Sequence, residues 1–156
     1  MLGAPPVNWT RLSLVAAILV LAIFFQKAQA NSMGWSFDLG LTLLISSSLL
    51  LNFLDLIFLE VIATAMFMWK PAFSPELLIL LLLPLGAFWG RKILSISPWT
   101  QNLAFISIAL MVFYIVQGPG VLFENWPIML NNLIGCLVFG SALLFFFENL
   151  YESRLD

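Results

Sequence analysis

The chain contains no histidine. Histidine is the commonest metal ligand among side chains and the one whose charge changes near neutral pH. Its absence excludes histidine-ligated haem and zinc sites and the usual neutral-pH proton carrier. The chain also has a single cysteine, Cys136, which excludes an intrachain disulfide and a thiolate metal cluster.

Charge is equally scarce. Only 9% of the 156 residues are charged, whereas 62% are hydrophobic and the mean hydropathy is +1.06. A soluble domain carries about 25% charged residues, so this composition cannot cover a surface that faces water. The net charge of −2 is small and its charges are scattered, which argues against a nucleic-acid partner. We therefore expect the lipid bilayer to be the solvent of this protein.

Long apolar runs divide the chain into candidate membrane spans of about 20 residues each. Segment 37–69 holds 33 residues. A single helix of that length would measure about 50 Å, against a hydrocarbon core of ~30 Å. We expect two short spans joined by a tight turn at 52–55, with one long span as the alternative. The predicted all-α bundle is a single transmembrane domain (1–156) with spans at 9–26, 37–52, 54–69, 76–90, 100–117 and 127–147.

The placement of tryptophan agrees with this division. Tryptophan prefers the membrane interface, where its ring is apolar and its N–H remains hydrated. Each of the six tryptophans lies at or beside the end of a predicted span: Trp9, Trp35, Trp69, Trp89, Trp99 and Trp126.

The basic residues predict an orientation, because cytoplasmic loops carry an excess of lysine and arginine. With six spans, four basic residues (Arg11, Arg91, Lys92, Arg154) share one side and two (Lys27, Lys70) the other. We therefore expect both termini in the cytoplasm of a bacterium, with the chain in its inner membrane. With five spans the C-terminus stays cytoplasmic and the N-terminus moves outside.

The first span resembles a cleavable signal, because a basic residue and an apolar stretch precede the triplet Ala28-Gln29-Ala30. Lys27 lies within the region where cleavage would occur. We expect the segment to be retained as the first transmembrane helix, with cleavage as the alternative.

Two carboxylates interrupt the apolar stretch "LLLNFLDLIFLEV" (49–61). We expect Asn52 and Asp55 to lie at a hydrated turn, since both residue types favour turns and helix caps. Glu60 is about 7.5 Å deeper along a helix, where a carboxylate is costly and faces the bundle interior. Its candidate partners are the hydroxyls of Thr64 and of Ser46, Ser47 and Ser48, and the amides of Asn131 and Asn132. The sequence leaves open whether Glu60 only packs against these groups or binds a cation or proton.

Small residues at i,i+4 spacing permit close helix contact. Two such pairs are candidates for helix packing: Ser13 with Ala17, and Cys136 with Gly140. The chain offers no glycine-rich phosphate loop, no nucleophile beside a base and no aspartate cluster for magnesium. We expect a protein that is not an enzyme and that uses no cofactor or metal.

The features of the chain follow a definite order. A first span and a short polar loop precede "FDLGLTLLISSSLLLNFLDLIFLEVIATAMFM" (37–68). A proline-containing loop, a further span, the basic "GRK" (90–92) and two closing spans follow. In this order of features the chain resembles the rod shape-determining MreD family. The resemblance implies a non-enzymatic scaffold of the cell-elongation machinery, which organises peptidoglycan synthesis with a partner like the periplasmic scaffold MreC.

The alternative function is that of a substrate-binding S component of an energy-coupling-factor transporter, since these proteins are similar in size and hydropathy. That family typically shows an Ala-x-x-x-Ala spacing in its first helix, whereas this first span has Ala16, Ala17 and Ala22. A third possibility is a small subunit of a larger membrane complex, held by helix packing.

Overall fold

The computed structural model describes residues 9–33, 37–67, 75–117 and 126–152. Within these residues the prediction of an all-α chain is confirmed, with no strands. The described residues form six helices: α1 (Trp9–Met33), α2 (Leu39–Ser48), α3 (Phe53–Phe67), α4 (Pro75–Ile93), α5 (Pro98–Gln117) and α6 (Trp126–Glu152).

Segment 37–67 forms two helices, but the connection between them differs from the predicted turn at 52–55. The connection occupies 49–52, so Asn52 lies in it, whereas Asp55 lies in the first turn of α3. The helix α2 covers ten residues, against the predicted span 37–52. At 1.5 Å per residue it is about 15 Å long, half the thickness of a hydrocarbon core.

The start of α5 shows how local sequence sets a boundary. Ser97 precedes the helix, and its Oγ accepts a hydrogen bond from the Thr100 backbone N–H at 3.2 Å. Pro98 occupies the first helical position, where its missing N–H costs no hydrogen bond. Pro84 lies inside α4 and is buried, and neighbouring helices can accommodate such a residue.

The short helix α2 is the centre of the fold, because all ten of its residues are buried. It packs against each of the other five helices. Those helices form an arc around it in the order α1, α3, α4, α5, α6, in which each packs on the next. The arc is open, since α1 and α6 do not pack against each other within the described residues.

Successive helices alternate in direction, so the bundle has two ends. At the end that we name the Arg91 end, Arg91 contacts the α2–α3 connection, and Trp99 Nε1 donates to Glu148 Oε2 at 3.1 Å. At the opposite Asp38 end, Lys27 Nζ donates to the Met66 backbone oxygen at 2.7 Å, near the end of α3.

Among the described residues, three stretches are long and apolar enough to cross a membrane: Leu12–Ser32, Pro98–Val116 and Trp126–Asn149. In an apolar 18-residue part of each, 28% of the residues are buried, so most of them are at least partly exposed. Four tryptophans are exposed near helix ends (Trp9, Trp89, Trp99, Trp126), whereas Trp35 and Trp69 lie outside the described residues. This surface is compatible with a membrane protein.

Candidate functional site

A cluster of polar side chains ties four helices together at the Asp38 end. At its centre, Asp38 Oδ2 accepts hydrogen bonds from Asn132 Nδ2 at 2.7 Å and from the Tyr114 hydroxyl at 3.1 Å. Asn132 Oδ1 accepts in return from the Asp38 backbone N–H at 3.0 Å. The side chains of Asn132 and Tyr114 also hydrogen-bond to each other. We name these residues, with Gln26 and Cys136, the Asp38 cluster.

Asp38 immediately precedes α2, yet its side chain does not cap that helix. Gln26 from α1 performs part of this role, because its Oε1 accepts from the Gly40 backbone N–H at 3.1 Å. Gln26 Nε2 lies 3.5 Å from Asp38 Oδ1, at the outer limit for a hydrogen bond. The Asp38 backbone oxygen accepts from the Thr42 hydroxyl at 2.8 Å. The Asp38 carboxylate is therefore directed toward other helices.

A cavity of about 140 Å³ adjoins the Asp38 cluster. Its polar lining comes from Gln26 and Asp38, and the rest of its wall is apolar. The apolar residues that line it are Leu41, Phe67, Leu77, Leu80 and Phe113. The site thus places a carboxylate beside aromatic and aliphatic carbon.

The middle of the bundle is joined by Asn102, which is fully buried. Its Oδ1 accepts from the Ser46 hydroxyl, and its Nδ2 donates to the Gly140 backbone oxygen, both at 3.0 Å. A Cβ atom at Gly140 would lie 2.4 Å from Ile106 Cδ1 and 3.2 Å from Ser46 Oγ. Glycine therefore permits α2, α5 and α6 to meet at this level.

At the Arg91 end, Arg91 binds one carbonyl at the C-terminal end of α2 and one in the connection that follows it. Its Nη1 donates to the Ser48 oxygen at 2.7 Å and its Nη2 to the Leu51 oxygen at 3.1 Å. The guanidinium carbon lies 4.2 Å from the centroid of the Phe88 ring, a cation–π geometry. Arg91 thereby fixes the connection that precedes α3.

Asn52 is exposed at this end, as expected of a turn residue. Asp55 differs from the expectation of a hydrated residue, because it is 3% exposed. The physical reason is that Asp55 lies within the first turn of α3, on the side of the helix that carries its buried residues, and not in the connection.

Glu60 lies in the interior, and it is 4% exposed. Its Oε1 has no hydrogen-bond partner, and neither have the hydroxyl oxygens of Ser47 and Thr64. Three of its other candidate partners bond elsewhere: Ser46 to Asn102, Ser48 to the Ile45 carbonyl, and Asn132 to Asp38. Asn131 is exposed. The structure therefore does not bring Glu60 together with these residues in a hydrogen-bonded site.

The two small-residue pairs lie in different surroundings. Cys136 and Gly140 are buried on the face of α6 that meets α2 and α5, and Cys136 Sγ donates to Asn132 Oδ1 at 3.2 Å. Ser13 and Ala17 are on the exposed face of α1. They take no part in packing within the described part of this chain.

Sequence reasoning missed Asp38, Tyr114 and Asn102. Asp38 immediately precedes an apolar run, which is the usual place of a helix cap. Capping alone would account for an aspartate there, so the sequence does not indicate that it has partners in other helices. Asn102 lies just inside a predicted span, where a buried amide signals an interhelical partner. Among the described residues there is no group of three or more cysteine, aspartate or glutamate side chains that could hold a metal ion.

Comparison of the chain with known proteins gives no match: no protein family, no curated protein and no solved structure is similar to it.

Proposed function

We propose that this protein is a six-pass integral membrane protein of the bacterial inner membrane that acts as a non-enzymatic scaffold. In this proposal a transmembrane helix of a partner protein docks between α1 and α6. The resemblance to MreD suggests which partner: a single-pass, periplasmic coiled-coil scaffold of the cell-elongation machinery that organises peptidoglycan synthesis.

The observation that carries the proposal is the open arc of helices. Between α1 and α6 lies a groove of about 520 Å³. Its walls come from α1 and α6, and its floor comes from the residues at the start of α2. Every described residue that lines it is apolar: Ile18, Leu21, Ala22, Phe25, Phe37, Leu39, Gly135, Val138, Phe139 and Ala142.

The chemistry of the groove suits a helix. Association of helices in lipid depends on close van der Waals packing, which small residues at the contact permit. Ala22, Gly135 and Ala142 supply such positions in the groove. At the α6 wall, Gly135 packs closely on Phe37, since a Cβ atom there would lie 2.3 Å from the Phe37 ring. One more helix in the groove would complete the ring around α2.

The outward-facing surface supports a membrane location. Large apolar side chains are exposed on different helices, including Leu21 at 68%, Leu82 at 63% and Val138 at 66%. The Arg91 end carries Arg91 and Lys92, so the positive-inside rule places that end in the cytoplasm. In this orientation the Asp38 end faces the periplasm.

The decisive experiment is site-specific photo-crosslinking in native cells. The variant Val138→p-benzoylphenylalanine places a photo-reactive group in the groove. The matched control, Leu82→p-benzoylphenylalanine, places it at an equally exposed site on α4, away from the groove. Mass spectrometry of the adducts then identifies the neighbour of each position.

We expect the position 138 adduct to contain the transmembrane helix of a periplasmic coiled-coil scaffold, and the position 82 adduct to contain lipid alone. Adducts with lipid at both positions would contradict docking in the groove. Adducts with ATPase or coupling subunits of a transporter would replace the scaffold function with that of a substrate-binding S component.

A further inference from the structure

We propose that the cavity beside Asp38 is a binding site for a small organic ammonium ion. This site is separate from the groove between α1 and α6, since no residue lines both. The proposal depends on the charge, the aromatic walls and the size of the cavity.

The charge comes from Asp38. In the described part of the chain, its carboxylate receives hydrogen bonds from neutral side chains only: Asn132, Tyr114 and Gln26. Two of these bonds converge on Oδ2, whereas Oδ1 has only the 3.5 Å contact with Gln26. Lys27, the next residue along α1, donates to the Met66 backbone oxygen at 2.7 Å. Oδ1 thus has no close hydrogen-bond donor, so the carboxylate can attract a cation beside it without displacing one.

The walls select the type of cation. Phe67 and Phe113 line the cavity, and the face of an aromatic ring attracts an ammonium group within about 6 Å of its centroid. Leu41, Leu77 and Leu80 supply aliphatic surface. A divalent metal ion requires about six oxygen ligands, which a cavity lined mainly by carbon does not offer. The lining fits a charged nitrogen that carries alkyl groups.

The size limits the ligand. An apolar cavity of about 150 Å³ holds one benzene molecule, and the cavity beside Asp38 measures about 140 Å³. A ligand of about six or seven non-hydrogen atoms therefore fits. Choline is a suitable probe because it has this size and a permanent positive charge. Its uncharged counterpart of the same shape, 3,3-dimethylbutan-1-ol, is the matched control compound.

The test measures binding of both probes to the purified full-length protein in detergent, by isothermal titration calorimetry and by the shift in unfolding temperature. A ligand that binds only the folded state raises the unfolding temperature as its concentration increases. We expect choline to bind and to raise this temperature, and we expect at least tenfold weaker binding of 3,3-dimethylbutan-1-ol. Failure of choline to bind, or equal binding of the two compounds, would overturn the proposal.

Variants locate the site. Asp38→Asn removes the charge, and we expect at least tenfold weaker choline binding. Because Asp38 also joins helices, a second variant, Leu80→Phe, fills the cavity without altering the polar cluster. We expect this variant to bind choline at least fivefold more weakly. Its matched control is Leu82→Phe, on the exposed side of the same helix, with affinity equal to wild type. Unchanged affinity in Leu80→Phe would place choline elsewhere on the protein.

Discussion

Asn132 and Asp38 hold each other by a pair of hydrogen bonds, although they are 94 residues apart in sequence. The amide nitrogen of Asn132 donates to the Asp38 carboxylate at 2.7 Å, and its amide oxygen accepts from the Asp38 backbone N–H at 3.0 Å. One side chain of α6 thus satisfies both a charged acceptor and a backbone donor at the start of α2. The two helices are thereby fixed in relative height and rotation.

We expect loss of this pair of hydrogen bonds to destabilise the protein. The change Asn132→Ala removes the Asn132 hydrogen bond to the Asp38 carboxylate and the acceptor of the Asp38 backbone N–H. We therefore expect the free energy of unfolding to fall by about 2–4 kcal/mol. The measurement is unfolding in a titration with sodium dodecyl sulfate, monitored by circular dichroism. Asn131→Ala is the control, because Asn131 is the exposed neighbour and surface changes stay within about 0.5 kcal/mol. Equal effects of the two changes would contradict the assigned role of Asn132.

Gly140 and Gly86 provide a matched pair of helical glycines. A Cβ at Gly140 would lie 2.4 Å from Ile106 Cδ1, whereas one at Gly86 meets nothing within 4 Å. We expect Gly140→Ala to destabilise the bundle by about 1–3 kcal/mol through overpacking. We expect Gly86→Ala to be neutral or to stabilise it by about 0.5–1 kcal/mol. The same titration measures both, and a reversed order would show that α6 has room to move away from α5.

Arg91 and Lys92 are adjacent basic residues with different surroundings. We expect Arg91→Met to reduce the free energy of unfolding by about 1.5–3 kcal/mol, because the charged hydrogen bonds to the Ser48 and Leu51 carbonyls are lost. Lys92 is exposed, and we expect Lys92→Met to change stability by less than about 0.5 kcal/mol. Hydrogen exchange should also quicken in 49–52 for Arg91→Met alone. Equal exchange rates at 49–52 in the two variants would contradict a local role of Arg91.

Glu60 is expected to reduce stability in the wild-type protein. Its Oε1 is buried without a partner, and replacement of such a group by a well-packed apolar one is often neutral or stabilising. We expect Glu60→Met to raise the free energy of unfolding by about 1–2 kcal/mol in the detergent titration. The control is Leu59→Met, a volume-conserving change at the buried neighbour, which we expect to lower the free energy of unfolding by less than about 1.5 kcal/mol. A clear loss of stability in Glu60→Met would mean that the carboxylate has a partner.

The six-pass topology can be tested with single cysteines in a Cys136→Ala background. Asn52 and Asn31 are exposed near opposite ends of the bundle. We expect a membrane-impermeant maleimide to label Asn31→Cys in intact spheroplasts and Asn52→Cys only in inverted membrane vesicles, since the Arg91 end is proposed to be cytoplasmic. Labelling of both from one side would contradict passage of α2 through the bilayer.

The lengths of the apolar runs were sufficient to predict that each of the described helices exists, because this signal acts locally. The partners of Asn132 and Asn102 were not predictable in this way, since an amide within an apolar run indicates only that some partner exists. Asp55 shows a second limit. Its burial depends on which side of the first turn of α3 it occupies, and nothing in "LLLNFLD" (49–55) shows which side faces the bundle.

The position of α2 at the centre has a consequence for biogenesis. Its ten residues include Thr42 and three consecutive serines, and every one is buried. Four of its five packing neighbours emerge from the ribosome after it. A helix of about 15 Å with several hydroxyls is poorly suited to entering lipid alone. We therefore expect α2 to leave the translocon together with α3. We expect it to reach its final surroundings only after α6 has been synthesised and Asn132 can hydrogen-bond to Asp38.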